Sequence, residues 1–386
     1  MQAEWYEENG RLYHSWRRGS YMYPHDEPEK DRMDIYHNLL YDHARIDLHS
    51  ARLSPEQPGK PRILDVGCGT GFWAIDMAER YQNAEVCATY APASKMFHTN
   101  ECLQVLGLDL ANIQPESIPR NVRFSIPTDF ESLWTFGEES WDLIHLQMLC
   151  GSVSSWPNLY QKIFQHLRPG YGHIEQLEVD LEPRCDDGTL VPGSPLVQWY
   201  QYLRDATQSA HKPIAYQHNT RQLLEQAGFI DIKEQVIRAP YNGWPKDPMQ
   251  KDIGRWYRFG LAESSGLEAL SMAPFSRVFQ WQRAQIDPFI AGVRRQVGDG
   301  HCHAYNNMCA DQSKTRLDRK ETIAMKVAAQ RCCDLRCFPQ HRAIPFTAGG
   351  TFTFHDHEHD GRFLCISGRH GYPFAVHVLQ RNYPLA

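Results

Sequence analysis

No stretch of about 18 consecutive apolar residues occurs in this chain, so no segment is expected to cross a bilayer as a helix. A secretory leader is also missing, because Met1 to Gly10 is polar and acidic rather than basic and then apolar. A reducing compartment is therefore expected. Positive charge is in deficit. With 40 Lys and Arg against 46 Asp and Glu the formal net charge is −6. A general nucleic-acid binder needs the opposite balance to neutralise phosphates, so neither direct nucleic-acid binding nor membrane association is expected.

Paired metal-ligand spacing is scarce as well. Of the 11 cysteines, Cys68, Cys87, Cys102, Cys150 and Cys185 stand singly and read as free thiols. Six more fall between Cys302 and Cys365. There Cys332-Cys333, Cys337, His341 and His355-Asp-His-Glu-His359 gather ligand-type side chains, but no Cys-x-x-Cys pair accompanies them, and no metal site is expected.

What is present is ordinary globular material, 42% apolar and 22% charged over 386 residues, enough for one large domain or two smaller ones. Residues 1–60 read as an N-terminal helical cap and linker. Asp26 and Glu27 lead into Pro28-Glu29-Lys30-Asp31, and Met33, Ile35, Tyr36, Leu39 and Leu40 follow at helical spacing. These apolar residues are expected to pack on the domain; the alternative is a loop of Tyr21, Tyr23 and Pro24 that closes over a bound ligand. Pro55 to Lys60 is a polar linker.

Beyond it the pattern alternates. Strands are expected at Arg62–Val66, Val105–Leu108, Val122–Ile126, Trp141–Leu146, His173–Val179 and Ile230–Ile237. Helices are expected at Phe72–Tyr81, Tyr160–Leu167, Leu196–Ala206 and Arg221–Ala227, and Pro248–Gln282 reads as mostly helical. Such alternation implies an α/β fold with a mostly parallel sheet and helices on both faces.

The chemistry-bearing motif is Asp65-Val66-Gly67-Cys68-Gly69-Thr70-Gly71, a strand that ends in glycines spaced two apart just before a helix. Glycine allows a tight turn and close backbone approach to a ligand, and a helix N-terminus offers unpaired N–H groups. A nicotinamide or flavin fingerprint wants Gly-x-Gly-x-x-Gly, with its third glycine where Phe72 stands. The observed spacing, with Asp65 two residues ahead, matches methyltransferases that bind S-adenosylmethionine. The candidate cofactor-binding residues here are Asp65, Gly67, Cys68, Gly69 and Gly71, with the acid and the loop amides expected at the amino-acid end.

Three flanking features support that choice. An acid for the ribose hydroxyls is expected about 20 residues after the loop, and Asp109, followed by Leu110, has the context at nearly twice the distance. Removing Val86 to Gln104 restores Ala-Glu-Val-Leu-Gly-Leu-Asp at the expected place, so residues 86–104 read as a retained intron. Asp129 and Phe130 follow the third strand, where a carboxylate near the adenine amine and an apolar group on its ring are expected. Leu167-Arg168-Pro169-Gly170 resembles a Leu-x-Pro-Gly-Gly turn, with Tyr171 in place of the second glycine. The fold expected is a Rossmann-like class I S-adenosylmethionine-dependent methyltransferase with a seven-stranded sheet.

Longer strings carry a closer resemblance. Glu8-Asn9-Gly10-Arg11-Leu12-Tyr13-His14, Tyr23-Pro24-His25-Asp26-Glu27-Pro28-Glu29-Lys30-Asp31, Gly71-Phe72-Trp73-Ala74-Ile75-Asp76, Glu182-Pro183-Arg184-Cys185-Asp186-Asp187-Gly188 and His303-Ala304-Tyr305 resemble the fungal LaeA family, methyltransferase-like regulators of secondary metabolism and development. The likeness runs from about Glu8 to Met308. It implies a nuclear protein that joins the velvet regulators VeA and VelB, and an enzyme whose described activity is self-methylation on methionine. Family members carry a longer Ser/Pro-rich N-terminus, so nuclear entry signals are expected to be missing here or to come from the partner.

After Met308 the family's His-Ile-Trp ending is absent. Residues 309–386 are expected to be a non-family tail, read past the native end, that cuts the seventh strand short and lowers stability. No catalytic residue is evident. His145 is a weak candidate base that reads more simply as a packed histidine, and a thioether acceptor needs no deprotonation. Trp73, Trp141, Trp156 and Tyr160 are candidates for the transfer pocket or for core. Three roles stay open: a protein methyltransferase, a cofactor-binding scaffold, and a small-molecule methyltransferase, with residues 245–282 as acceptor lid or partner surface.

Overall fold

A computed structural model divides the chain into two compact units, Met1–Pro55 with Pro61–Leu317, and Glu56–Lys60 with Asp318–Ala386. It describes residues 5–15, 18–19, 21–51, 53, 61–81 and 105–316, and the strands at 363–367 and 373–377. The stretch read as a retained intron, Val86–Gln104, lies outside the described residues, as does most of the tail, including the cysteine and histidine cluster from Cys332 to His359. Among the described residues no helix is long and apolar enough to cross a membrane.

The larger unit opens with a hairpin, β1 (Trp5–Glu8) against β2 (Arg11–His14), that the sequence pattern did not announce. Helix α1 (Glu27–Asn38) follows, capped by the Asp26 carboxylate on the Glu29 N–H and started by Pro28, which lacks the N–H a first turn would leave unpaired. Asp26 also accepts Nε and Nη2 of the Arg11 guanidinium, each at 2.7 Å, so one carboxylate fixes hairpin and helix together.

The core is a seven-stranded sheet in the order β5-β4-β3-β6-β7-β9-β8. Its strands are β3 (Ile63–Val66), β4 (Val105–Leu108), β5 (Val122–Ser125), β6 (Leu143–Gln147), β7 (His173–Arg184), β8 (Phe229–Pro240) and β9 (Tyr305–Thr315). β3 through β7 pair in parallel, and β9 runs antiparallel between β7 and β8. Every residue of β3 and β4 is buried, Asp65 included, as in parallel strands covered on both faces. The order reverses at β3, with β4 on one side and β6 on the other, and this switch point opens a crevice at the strands' carboxyl ends.

Helices α2 (Phe72–Arg80), α3 (Trp156–His166), α4 (Pro195–Ser209) and α5 (Thr220–Ala227) alternate with the strands. Residues 245–282 hold α6 (Pro248–Arg258), a π-turn at Phe259–Glu263 and α7 (Gly266–Val278), and α8 (Arg283–Gly298) adds a helix that was not expected. The second unit contributes one described feature, the antiparallel hairpin of β10 (Phe363–Ser367) and β11 (Pro373–His377).

One expectation is corrected outright. The seventh strand is not cut short after Met308, because β9 continues to Thr315, paired with β7 as far as Lys314 and with β8 as far as Thr315 across a bulge at Ile230–Lys233. Its residues are polar yet buried: the Asp311 carboxylate accepts the Tyr216 hydroxyl at 2.9 Å, and Thr315 Oγ1 donates to the Arg168 carbonyl at 2.6 Å. Satisfied polar groups can be buried without a large penalty, and their polarity hid the strand. The domain boundary therefore moves from residue 308 to Leu317.

A chain ended at Met308 is accordingly expected to lose cooperative thermal unfolding, since β7 and β8 lose most of the strand between them. A chain ended at Leu317 is expected to keep it. Circular dichroism melts of the two would decide; a cooperative transition in the shorter chain would contradict the assignment.

Candidate functional site

The crevice at the switch point is a cleft walled by the glycine loop, the end of β4, the segment after β6, and α1 with the turn before it. The loop is held from within. Gly67 and Cys68 both donate their N–H to the Leu108 carbonyl, at 2.8 and 2.9 Å, and Gly71 donates to the Cys68 carbonyl at 2.8 Å. Gly69 donates to Asp109 Oδ2 at 2.8 Å. Three of these amides thus tie the loop to the end of β4 and the residue after it, while Gly67, Cys68 and Gly69 line the cleft.

The glycine requirement is still physical. Gly67 has a φ of +72°, and a Cβ there would lie 2.5 Å from Leu149 Cδ2. Gly71, at φ +82°, would press on Phe124 at the start of α2.

Three acids face this cleft with no lysine or arginine on them among the described residues. Asp65, 2% exposed, keeps its Oδ2 buried without a hydrogen-bond partner. Burial, then the neighbouring Asp109, raises its pKa well above the ordinary carboxylate range. Asp109 is raised by burial too, against the pull of the Ala111 and Gly69 amides. Glu178 on β7, which the sequence analysis missed, accepts the Leu149 and Cys150 amides at 2.9 and 3.1 Å. Burial pushes its pKa up to about 7. A fourth acid, Glu29, is paired with Arg32. Such a cleft favours a cationic ligand.

Other expected site residues distribute unevenly. Leu110, Cys68 and Phe130 line the cleft, with the Cys68 thiol held protonated by burial and the nearby Asp109. Asp129 is not among the lining residues. Its two carboxylate oxygens accept the Glu131 amide and the Ser132 hydroxyl, at 2.9 and 3.3 Å, so it shapes its own turn.

His145 is corrected as a catalytic candidate. It is 3% exposed, off the cleft lining, and stacked on Trp73 with centroids 3.7 Å apart and planes at 6°. Burial depresses its pKa to about 3, which leaves a neutral packing group. Trp73 does line the cleft, whereas Trp141, Trp156 and Tyr160 are core.

Of the two roles open for Tyr21, Tyr23 and Pro24, the structure puts all three on the cleft. Burial raises the pKa of both tyrosines, and the Tyr23 hydroxyl donates to the Cys150 carbonyl at 3.2 Å. The segment is anchored from outside by Arg277 of α7, which donates to Glu8 Oε2 at 2.7 Å and to the Tyr21 carbonyl at 2.8 Å.

Two outcomes are expected. His145→Phe, which keeps the stack on Trp73, should leave methyl transfer within a few-fold of wild type in a labelled-methyl assay; a loss of about a hundredfold would restore His145 as a catalytic group. Separately, the folded chain keeps a proton on Glu178 that the unfolded chain has lost above 4.5. Stability from this group is thus whole below that value and falls as pH rises through 7, by on the order of 3 kcal/mol. Denaturant unfolding at pH 5 and pH 8 should show the fall in the ligand-free protein, and Glu178→Gln should flatten it.

Comparison with known proteins agrees with this architecture. Residues 41–234 match a family described as a methyltransferase domain. The chain is 60% identical over 304 residues to the secondary metabolism regulator LAE1 of Cochliobolus heterostrophus, covering 78% of this chain and 92% of that one. It is 47% identical over 304 residues to the secondary metabolism regulator laeA of Aspergillus flavus, covering 78% and 75%. It is 44% identical over 315 residues to a protein of Emericella nidulans named protein-methionine methyltransferase laeA, covering 81% and 77%. With a class I methyltransferase sheet, a glycine loop at its switch point and relatives aligned along most of their length, this chain belongs to the LaeA family of methyltransferase-domain regulators of secondary metabolism.

Proposed function

We propose that this protein uses S-adenosylmethionine to methylate protein methionine side chains, its own included. We place this activity in the nucleus beside the velvet regulators VeA and VelB, where it sets secondary metabolite gene expression and development. The observation that carries the reading is the buried, unpartnered Asp65 Oδ2 at the carboxyl end of β3, in the same cleft as Asp109 and Glu178, which pair with no lysine or arginine among the described residues.

The residues fit the cofactor. Asp65 would hold its ammonium group and Asp109 its ribose hydroxyls, with Leu110 and Phe130 as apolar neighbours. When bound, S-adenosylmethionine supplies a methyl group already activated by the sulfonium, so the protein's work is positioning and water exclusion. Tyr21, Tyr23 and Pro24 cover the cleft, and the Tyr23 bond to Cys150 fixes that cover to the wall after β6.

Several groups at or near the cleft are poorly placed to take a proton from the acceptor. Glu178 is occupied by two amides, both tyrosines stay protonated, and His145 lies elsewhere. His25 and His37 also line the cleft, His37 with Asp76 at 2.8 Å, but a thioether acceptor needs no deprotonation and asks neither to act as a base. The name of the Emericella nidulans relative supports the same substrate class.

Affinity for the cationic cofactor should depend on pH with a definite sign. Because the Asp65 and Asp109 pKa values are raised, the carboxylates are lost to protonation sooner than ordinary ones as pH falls. Calorimetry is expected to show tighter binding at pH 8 than at pH 5.5. Asp65→Asn should weaken binding at pH 8 by about tenfold or more, the scale of a charged hydrogen bond, and reduce the pH dependence. The same variant, assayed for labelled transfer with and without velvet partners, should lose labelling while complex assembly survives. Loss of assembly would instead mark the protein as a cofactor-dependent scaffold.

A further inference from the structure

The amino-acid end of S-adenosylmethionine carries a carboxylate as well as an ammonium group. In a cleft that holds Asp65, Asp109 and Glu178 that anion is repelled unless a fixed cation meets it. The glycine loop offers little help, since the amides of Gly67, Cys68, Gly69 and Gly71 are already bonded within the protein.

Among the described residues that line the cleft, the single lysine or arginine is Arg32, on α1. Its side chain is 10% exposed and its partner Glu29 only 1%. Glu29 grips one edge of the guanidinium, accepting Nε at 2.8 Å and Nη2 at 2.7 Å. The Tyr36 ring lies 5.2 Å from the guanidinium carbon. The group is thus oriented before any ligand arrives. A purely structural clamp is a weak explanation, because a buried ion pair is seldom more stabilising than a well-packed apolar pair.

We infer that Arg32, oriented by Glu29, receives the carboxylate of S-adenosylmethionine, so that α1 rather than the glycine loop completes the cofactor site. The inference rests on the cofactor reading above and assigns a residue that the loop motif does not contain. It also makes the N-terminal segment part of the binding site. Met33, one residue on, packs its sulfur where a Cβ on Gly69 would sit, 3.0 Å away, so the helix and the loop already meet.

The test is calorimetry on the full chain with two probes, S-adenosylmethionine and decarboxylated S-adenosylmethionine, which keeps the sulfonium and the amine. The variant is Glu29→Gln with Arg32→Met, which leaves no lone buried charge; a thermal melt checks its fold. Wild type should bind the carboxylated probe more tightly by about tenfold or more, and the double variant should lose that preference. Its affinity for the decarboxylated probe should stay within roughly twofold. If the neutral pair does not fold, Arg32→Lys, which keeps Glu29 paired, should weaken only the carboxylated probe. Equal weakening of both probes, or of neither, overturns the inference. Failure of wild type to bind either probe overturns the cofactor reading instead.

Discussion

The functional half of this protein depends on how one loop hangs from one strand. The Leu108 carbonyl at the end of β4 takes two amides of the glycine loop, and the next residue, Asp109, takes a third with its carboxylate. The loop between β3 and α2 is therefore shaped by its neighbour across the sheet. A shift of β4 by one residue would move the Leu108 carbonyl and the Asp109 carboxylate away from the loop and remove all three bonds. Local propensity places the glycines; tertiary pairing decides what the loop can offer a ligand.

This arrangement explains why the cleft is acidic at some cost to the folded state. Asp65, Asp109 and Glu178 are buried where desolvation favours their neutral forms. Asp109 and Glu178 are partly repaid by the backbone amides they accept, whereas Asp65 Oδ2 has no such partner and carries the burial cost alone. Strained ionisation gathered in a crevice at a topological switch point is how a binding site differs from core. A cation entering the cleft relieves the penalty that folding left there.

Much of this was legible in the residue order, and the parts that were not have identifiable causes. β3 and β4 were plain because Ile63, Leu64 and Val66 and Val105, Leu106 and Leu108 make short apolar runs, broken in β3 only by Asp65. The glycine spacing and the acid after β4 pointed to Asp65 and Asp109. At Asp129 the carboxylate bonds the amide and the hydroxyl of its own turn, two and three residues ahead, a local use that no spacing rule reveals. Glu178 and the Glu29–Arg32 pair escaped because an acid inside a strand, and opposite charges three apart on a helix, also describe a solvated surface. β9 escaped because Asp311, Ser313 and Thr315 look like loop residues until Tyr216 and the Arg168 carbonyl are brought to meet two of them.

The position of β9 also bears on how the chain assembles. It lies between β7 and β8 although it leaves the ribosome after both, with α6, α7 and α8 made in the interval. Until Tyr305–Thr315 emerges, β7 presents an unpaired edge of twelve residues, and β8 has no neighbour. Open edges of that length invite foreign strands. The nascent protein thus passes through a vulnerable interval that ends only when its last sheet strand slides home, and shielding by a chaperone would matter most there.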